Sequence, residues 1–146
     1  MVFNKAERYI DFHFCDLEEP VFFNENRIRK WIEQVIKEEG REAGLLSFVI
    51  SNDEFLVKLN REYLQHDFFT DVITFDYSED LNGVSGDVYI SLERVEENAS
   101  ELGIRVSDEM KRVMVHGVLH LLGYDDTDEA MKQTMREKEN YYLSLI

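Results

Sequence analysis

The run His116-Gly117-Val118-Leu119-His120-Leu121-Leu122-Gly123-Tyr124-Asp125-Asp126 is the one place where metal-ligand side chains recur at a spacing that geometry explains. His116 and His120 are four residues apart. On an α-helix that spacing puts both imidazoles on one face, one turn apart and able to share a cation. Gly123 follows as a helix stop, because a left-handed residue after the last turn lets the chain fold back. An oxygen ligand from Asp125 or Asp126 can then meet the two nitrogens. Two nitrogens and one carboxylate make a three-donor site with a fourth position left to water, which is the arrangement of catalytic rather than structural zinc.

The helix that carries the pair is apolar nearly all round, through Met110, Val113, Met114, Val115, Val118, Leu119, Leu121 and Leu122. Such a helix is buried, and two imidazoles inside it need partners. Gly117 points the same way, since glycine within a helix costs about 1 kcal/mol against alanine and marks a close backbone approach. Zincin proteases share the histidine spacing but carry a glutamate directly after the first histidine. Here that position is Gly117, so a protease of that kind is not expected.

These residues resemble the motif of the YbeY family of bacterial endoribonucleases and rRNA maturation factors, His-Gly-x-Leu-His-Leu-x-Gly-Tyr-Asp-His. The departure is at the last position, where Asp126 stands in place of the family's third histidine. A carboxylate occupies a zinc position at nearly the same bond length, so the resemblance implies His116, His120 and Asp126 as the metal ligands, and not Asp125. Zinc is the expected ion for imidazole with one carboxylate, with nickel or manganese as possible substitutes.

A second stretch is similar to the same family. Leu59-Asn-Arg-Glu-Tyr63-Leu-Gln-His-Asp67-Phe-Phe-Thr70-Asp71-Val-Ile-Thr-Phe75 follows the pattern Leu-Asn-x-x-Tyr-Arg-x-x-Asp-x-x-Thr-Asp-Val-Leu-Ser-Phe. The family arginine, which the resemblance assigns to the active site, is Leu64 in this chain. Arg61, three residues earlier, is the nearest replacement, although three residues of helix displace it by about 4.5 Å. Gly86-Asp87-Val-x-Ile-Ser91 also matches a family strand, and the resemblance spans roughly residues 45 to 142.

The rest of the chain builds a domain around these motifs. Tyr9 to Cys15 alternates Ile10, Phe12 and Phe14 with Asp11 and His13, a strand pattern. Ile28, Trp31, Ile32, Val35 and Ile36 recur at helical spacing behind a cap at Asn24, and that helix ends near Gly40 to Gly44. Leu45 to Ser51 reads as a central strand, with Asn52 or Asp53 capping a helix that carries Phe55, Leu56, Leu59 and Tyr63. Val72–Tyr77 and Gly86–Ser91 read as an antiparallel pair, with Asp80 to Gly83 as turn material. Ser91 caps a helix bearing Val95, Ala99 and Leu102 and stopped by Gly103. The metal helix follows, capped by Ser107 or Asp108. A last helix runs from Thr127 with Met131, Met135, Tyr141, Tyr142 and Leu145 as its apolar side.

Four strands and five helices in mixed order predict an α+β (mixed α/β) fold, a four-stranded mixed sheet flanked by about five helices. At 146 residues, 44% of them hydrophobic, the chain is long enough to bury a core as a single domain over 1–146, and the resemblance places a metal cleft beside the sheet. No run approaches the roughly 20 apolar residues of a membrane span, and the N-terminus lacks a signal-peptide core. The lone Cys15 makes no internal disulfide, so a cytoplasmic protein with no membrane association is expected.

The resemblance implies a zinc-dependent, single-strand-specific endoribonuclease in rRNA maturation and ribosome quality control, with the ribosome or a ribosomal protein as partner. The alternative is a non-catalytic ribosome-assembly or protein-binding module in which a structural metal staples the last helix to the core. The formal charge of −15 opposes long-range attraction to phosphate, so any RNA contact must be local. Arg112, one turn before His116 on the same face, is the expected RNA-binding residue, and Phe68 and Phe69 are candidates for stacking on unpaired bases.

Overall fold

The computed structural model describes residues 9–63, 70–79 and 83–146. The strands are β1 (Tyr9–Phe14), β2 (Glu42–Ser51), β3 (Val72–Asp76) and β4 (Gly83–Ser91). The helices are α1 (Glu25–Glu38), α2 (Asp53–Tyr63), α3 (Leu92–Leu102), α4 (Val106–Leu121) and α5 (Glu129–Leu143). The sheet order is β1-β2-β4-β3. β2 runs parallel to both β1 and β4, whereas β3 pairs antiparallel with β4, so the sheet is mixed as expected.

Alternation along each strand sorts the side chains into two faces. Ile10 and Phe12 of β1, Leu46, Phe48 and Ile50 of β2, and Val84, Val88 and Ile90 of β4 are all buried. They form one cluster with Ile28, Trp31, Ile32, Val35 and Ile36 of α1 and with Val113, Met114, Val118 and Leu121 of α4. On the other face α2 seals β3 and β4 with Leu56, which is fully buried, and with ring contacts of Phe55 on Tyr89 and Tyr63 on Phe75.

Local capping chemistry accounts for most of the boundaries. Asn24 accepts from the Arg27 amide to start α1, Asn52 from Phe55 to start α2, and Ser91 from Arg94 to start α3. Gly103 then ends α3 in a left-handed conformation. Asp53, the alternative cap for α2, instead accepts from the Ser91 hydroxyl at 2.6 Å and pairs with Arg94.

Three expectations are corrected. α4 begins at Val106 behind Arg105, without a side-chain cap; the Asp108 carboxylate turns back to the Arg105 guanidinium at 3.0 Å. α5 begins at Glu129, because Asp128 caps it by accepting from the Met131 amide. Its buried stripe is Met135, Glu139 and Tyr142, while Met131, Tyr141 and Leu145 are exposed, as is Leu102 on α3. α5 docks along an i, i+4, i+7 line only, so apolar residues off that line stay in water, and a glutamate occupies the middle of it. The turn at Asp80–Asn82 lies outside the described residues.

Candidate metal centre

α4 crosses the inner face of the sheet so closely that its one glycine is required. A Cβ at Gly117 would lie 2.7 Å from Val88 Cγ1 on β4, with Val72 and Thr74 of β3 close behind. That approach holds the helix against β3 and β4, and its next face carries His116 and His120, whose side chains are 18% and 25% exposed. Past Leu121 the helix closes with paired hydrogen bonds from Gly123 N–H to His120 O and from Tyr124 N–H to Leu119 O, both 3.0 Å. Gly123 takes φ +104°, which a side-chain-bearing residue rarely adopts, and this reversal turns the chain back toward the histidines.

Two further contacts fix the returning loop. The Asp125 carboxylate accepts from the Asp126 amide at 2.8 Å, so it serves its own backbone. The Tyr124 hydroxyl donates to Glu39 Oε1 at 2.6 Å, and Glu39 also accepts from Tyr142 and from Lys138 at 3.0 Å. Burial alone would raise the Glu39 carboxyl, but these hydrogen bonds outweigh it and hold the group below its ordinary range. The loop is thereby tied to α1 and α5 by protein groups alone.

Asp126 completes a triangle. His116 Nε2 lies 3.1 Å from His120 Nε2 and 3.5 Å from Asp126 Oδ2, and His120 Nε2 lies 3.7 Å from the same oxygen. Four donors set tetrahedrally at about 2.0–2.1 Å from a zinc ion stand about 3.3 Å from one another. The three edges bracket that value, so donor type and spacing both fit one metal ion, and these three residues form a group able to hold one. Asp126, at 38% exposure, leaves the triangle open to solvent on its side. Burial, then the neighbouring His116, holds the His120 imidazole below the ordinary histidine range, which favours the neutral form that ligation needs.

Behind the triangle lies a set of charges that sequence reasoning missed. Glu139 Oε2 is 2.6 Å from His116 Nδ1. Arg112 Nη1 reaches Glu139 Oε1 at 3.4 Å, its Nε reaches Glu109 Oε1 at 2.7 Å, and its Nη2 lies 3.7 Å from Asp71 Oδ2. The Asn98 amide adds hydrogen bonds to Asp71 and Glu109. Arg112, the expected RNA-binding residue, pairs here with three carboxylates, and its hydrogen bonds to Glu109 hold it still more firmly protonated. Glu109 has no exposed side-chain surface and Glu139 has 7%. A glutamate on the buried stripe of α5 was the available signal, but spacing alone does not name its partner.

Arg61, the suggested replacement for the family arginine, lines a groove beside α2 with Asp53, Lys58 and Glu93. Leu64, Asp67, Phe68 and Phe69 lie outside the described residues. Cys15 is a free thiol on the residue after β1, and His13 is an exposed strand-face residue beside Asp11.

Fold and site together define a mixed α+β protein with a two-imidazole, one-carboxylate centre of the kind that holds a single metal ion. Comparison with known proteins narrows that class. Residues 14–146 match the family described as Endoribonuclease YbeY, beyond the stretch in which the motifs were legible. The Endoribonuclease YbeY of Amoebophilus asiaticus is 47% identical over 120 residues, 82% of each chain. That of Christiangramia forsetii is 41% identical over 136 residues, covering 93% of this chain and 94% of its own. A solution structure of a Thermotoga maritima protein is similar with a TM-score of 0.66 at 27% identity, covering 93% of this chain and 87% of that one. The chain belongs to the YbeY endoribonuclease family, a family of hydrolytic nucleases. No helix among the described residues is long and apolar enough to cross a membrane.

Proposed function

We propose that this chain is a zinc-dependent, single-strand-specific endoribonuclease that acts in rRNA maturation and ribosome quality control in the cytoplasm. The observation that carries the reading is the His116–His120–Asp126 triangle, whose edges suit one tetrahedral zinc, in a member of an endoribonuclease family. Zinc bound there supplies Lewis-acid polarisation of a phosphoryl oxygen and brings water toward ionisation near neutral pH.

The chain's own residues do the rest. His116 and His120 each present Nε2 to one point, and Asp126 supplies the third donor from a loop that is already in place. The solvent-facing Asp126 side admits the phosphodiester, and the nearly buried Glu139 closes the side behind His116. The preference for single strands is what the family resemblance implies; the net charge of −15 opposes any phosphate backbone at long range, so the encounter depends on the centre itself and on a ribosomal partner that contributes positive charge.

A purely structural metal is disfavoured by one observation. The loop and α5 are tied to α1 through Glu39, Tyr124, Tyr142 and Lys138, and Trp31 Nε1 donates to Tyr142 O at 2.8 Å, so the last helix has attachments to the core that do not run through a metal. Cleavage of a single-stranded RNA by wild type, Asp126→Ala and chelator-treated protein tests the reading. The expected result is loss of cleavage with the fold retained; unfolding on chelation, or full cleavage by Asp126→Ala, would reject it.

A further inference from the structure

We infer that Glu139 is the positioning residue of the centre, fixing through its hydrogen bond at Nδ1 which nitrogen of His116 is free to ligate. This rests on the metal reading above. A neutral imidazole carries one ring proton, and it offers a lone pair at Nε2 only if that proton sits on Nδ1. Glu139 Oε2 stands 2.6 Å from Nδ1, and a carboxylate there accepts the Nδ1 proton's hydrogen bond, leaving the Nε2 lone pair aimed at His120 and Asp126.

Glu139 is itself held. Its second oxygen takes Arg112 Nη1, and Arg112 is gripped through Nε and Nη2 by the fully buried Glu109 one turn earlier on α4. The line Glu109, Arg112, Glu139, His116 runs from the interior to the centre, with three of its members on α4 and the fourth on α5. Packing alone does not explain it. Glu139 occupies the middle of a stripe flanked by Met135 and Tyr142, where an apolar side chain would bury at no electrostatic cost. A carboxylate kept in that position, with its charge offset by Arg112, points to the orientation of His116 as its task. Arg112 acts one step further back, by holding Glu139, rather than as a contact to RNA.

Two measurements on purified Glu139→Ala and the near-isosteric Glu139→Gln test this. Long-range proton–nitrogen NMR of the metal-free proteins reads the His116 tautomer, and competition with a chelator reads zinc affinity. In wild type His116 is expected to carry its proton on Nδ1. In Glu139→Ala the tautomer should shift toward Nε2–H and zinc affinity should fall about 10–100-fold, the usual effect of losing such a partner. Glu139→Gln keeps the volume and an acceptor oxygen but loses the charge, so its zinc affinity should fall between; Glu139→Leu, with no acceptor, carries the tautomer test if the alanine variant does not fold. The inference is overturned if the tautomer is unchanged in folded Glu139→Ala or Glu139→Leu, or if their zinc affinity stays within twofold of wild type. Wild type that fails to bind zinc would instead reject the proposed function, while the tautomer would still decide the role of Glu139.

Discussion

Gly117 on α4 faces Val88 on β4 across a gap that has no room for a methyl group: a Cβ would stand 2.7 Å from Val88 Cγ1. Val88 is fully buried and β-branched, so its side chain has little freedom to move aside. Gly117→Ala gains about 1 kcal/mol of helix propensity but overpacks a core contact, at a cost of about 1–3 kcal/mol. The expected outcome is a net loss of about 1 kcal/mol, seen as a melting temperature lower by about 2–4 °C. Zinc affinity should fall too, because α4 is pushed from the sheet that positions both histidines. A variant as stable as wild type would show that the sheet yields at this point.

The ligand assignment makes sharper demands. His120→Ala and Asp126→Ala should each lose stoichiometric zinc by metal analysis, whereas Asp125→Ala should keep it, because Asp125 is turned to the Asp126 amide. Asp126→His restores the family motif and should retain zinc, since imidazole and carboxylate bond at nearly the same length. Zinc lost from Asp125→Ala but kept by Asp126→Ala would reverse the choice of oxygen ligand.

Acid should act through His120. Its folded pKa lies below the ordinary value of 6.5, so folding favours the neutral ring. The stability this contributes is fully present above about pH 6.5 and is lost as pH falls through the lowered folded value, because the buried ring must then charge. Metal-free wild type should therefore melt progressively lower as pH drops below that range, and His120→Asn should show a flatter profile. Zinc occupancy should decline over the same acidic window, as ligation requires neutral imidazole. Identical pH profiles for wild type and His120→Asn would remove His120 from the account.

Arg112→Ala separates two roles for one residue. A residue that only touches RNA can be removed without harm to the fold. Removing Arg112 takes the charged partner from Glu109, which has no exposed side-chain surface but keeps a hydrogen bond from the Asn98 amide, so the cost falls at the low end of that for a broken buried pair, about 3 kcal/mol. Urea unfolding should register that loss. With Arg112 committed internally, RNA binding should neutralise few phosphates, giving a logarithmic salt slope on the order of −1 to −3. Unchanged stability in Arg112→Ala together with a steep salt slope would return the residue to the RNA surface.

Much of this protein follows from relations within a turn or two of chain, and those were legible in the sequence. The i, i+4 histidines, the Gly123 reversal and the caps at Asn24 and Ser91 act over a few residues, where helical periodicity and hydrogen-bond chemistry dictate the outcome. Strand alternation likewise separated Ile10 and Phe12 from Asp11, and the internal glycine of α4 announced its close approach to the sheet. Tertiary structure decided what depends on residues far apart in sequence. The order β1-β2-β4-β3 brings Asp71 to Arg112, and the docking of α5 brings Glu139 to His116 across 23 residues. No spacing rule names such partners, because a buried charge is satisfied by whichever opposite charge or hydrogen-bond donor the packing delivers. For that reason the sequence offered Arg112 as a local basic group beside His116 but not the three carboxylates that surround it in the fold.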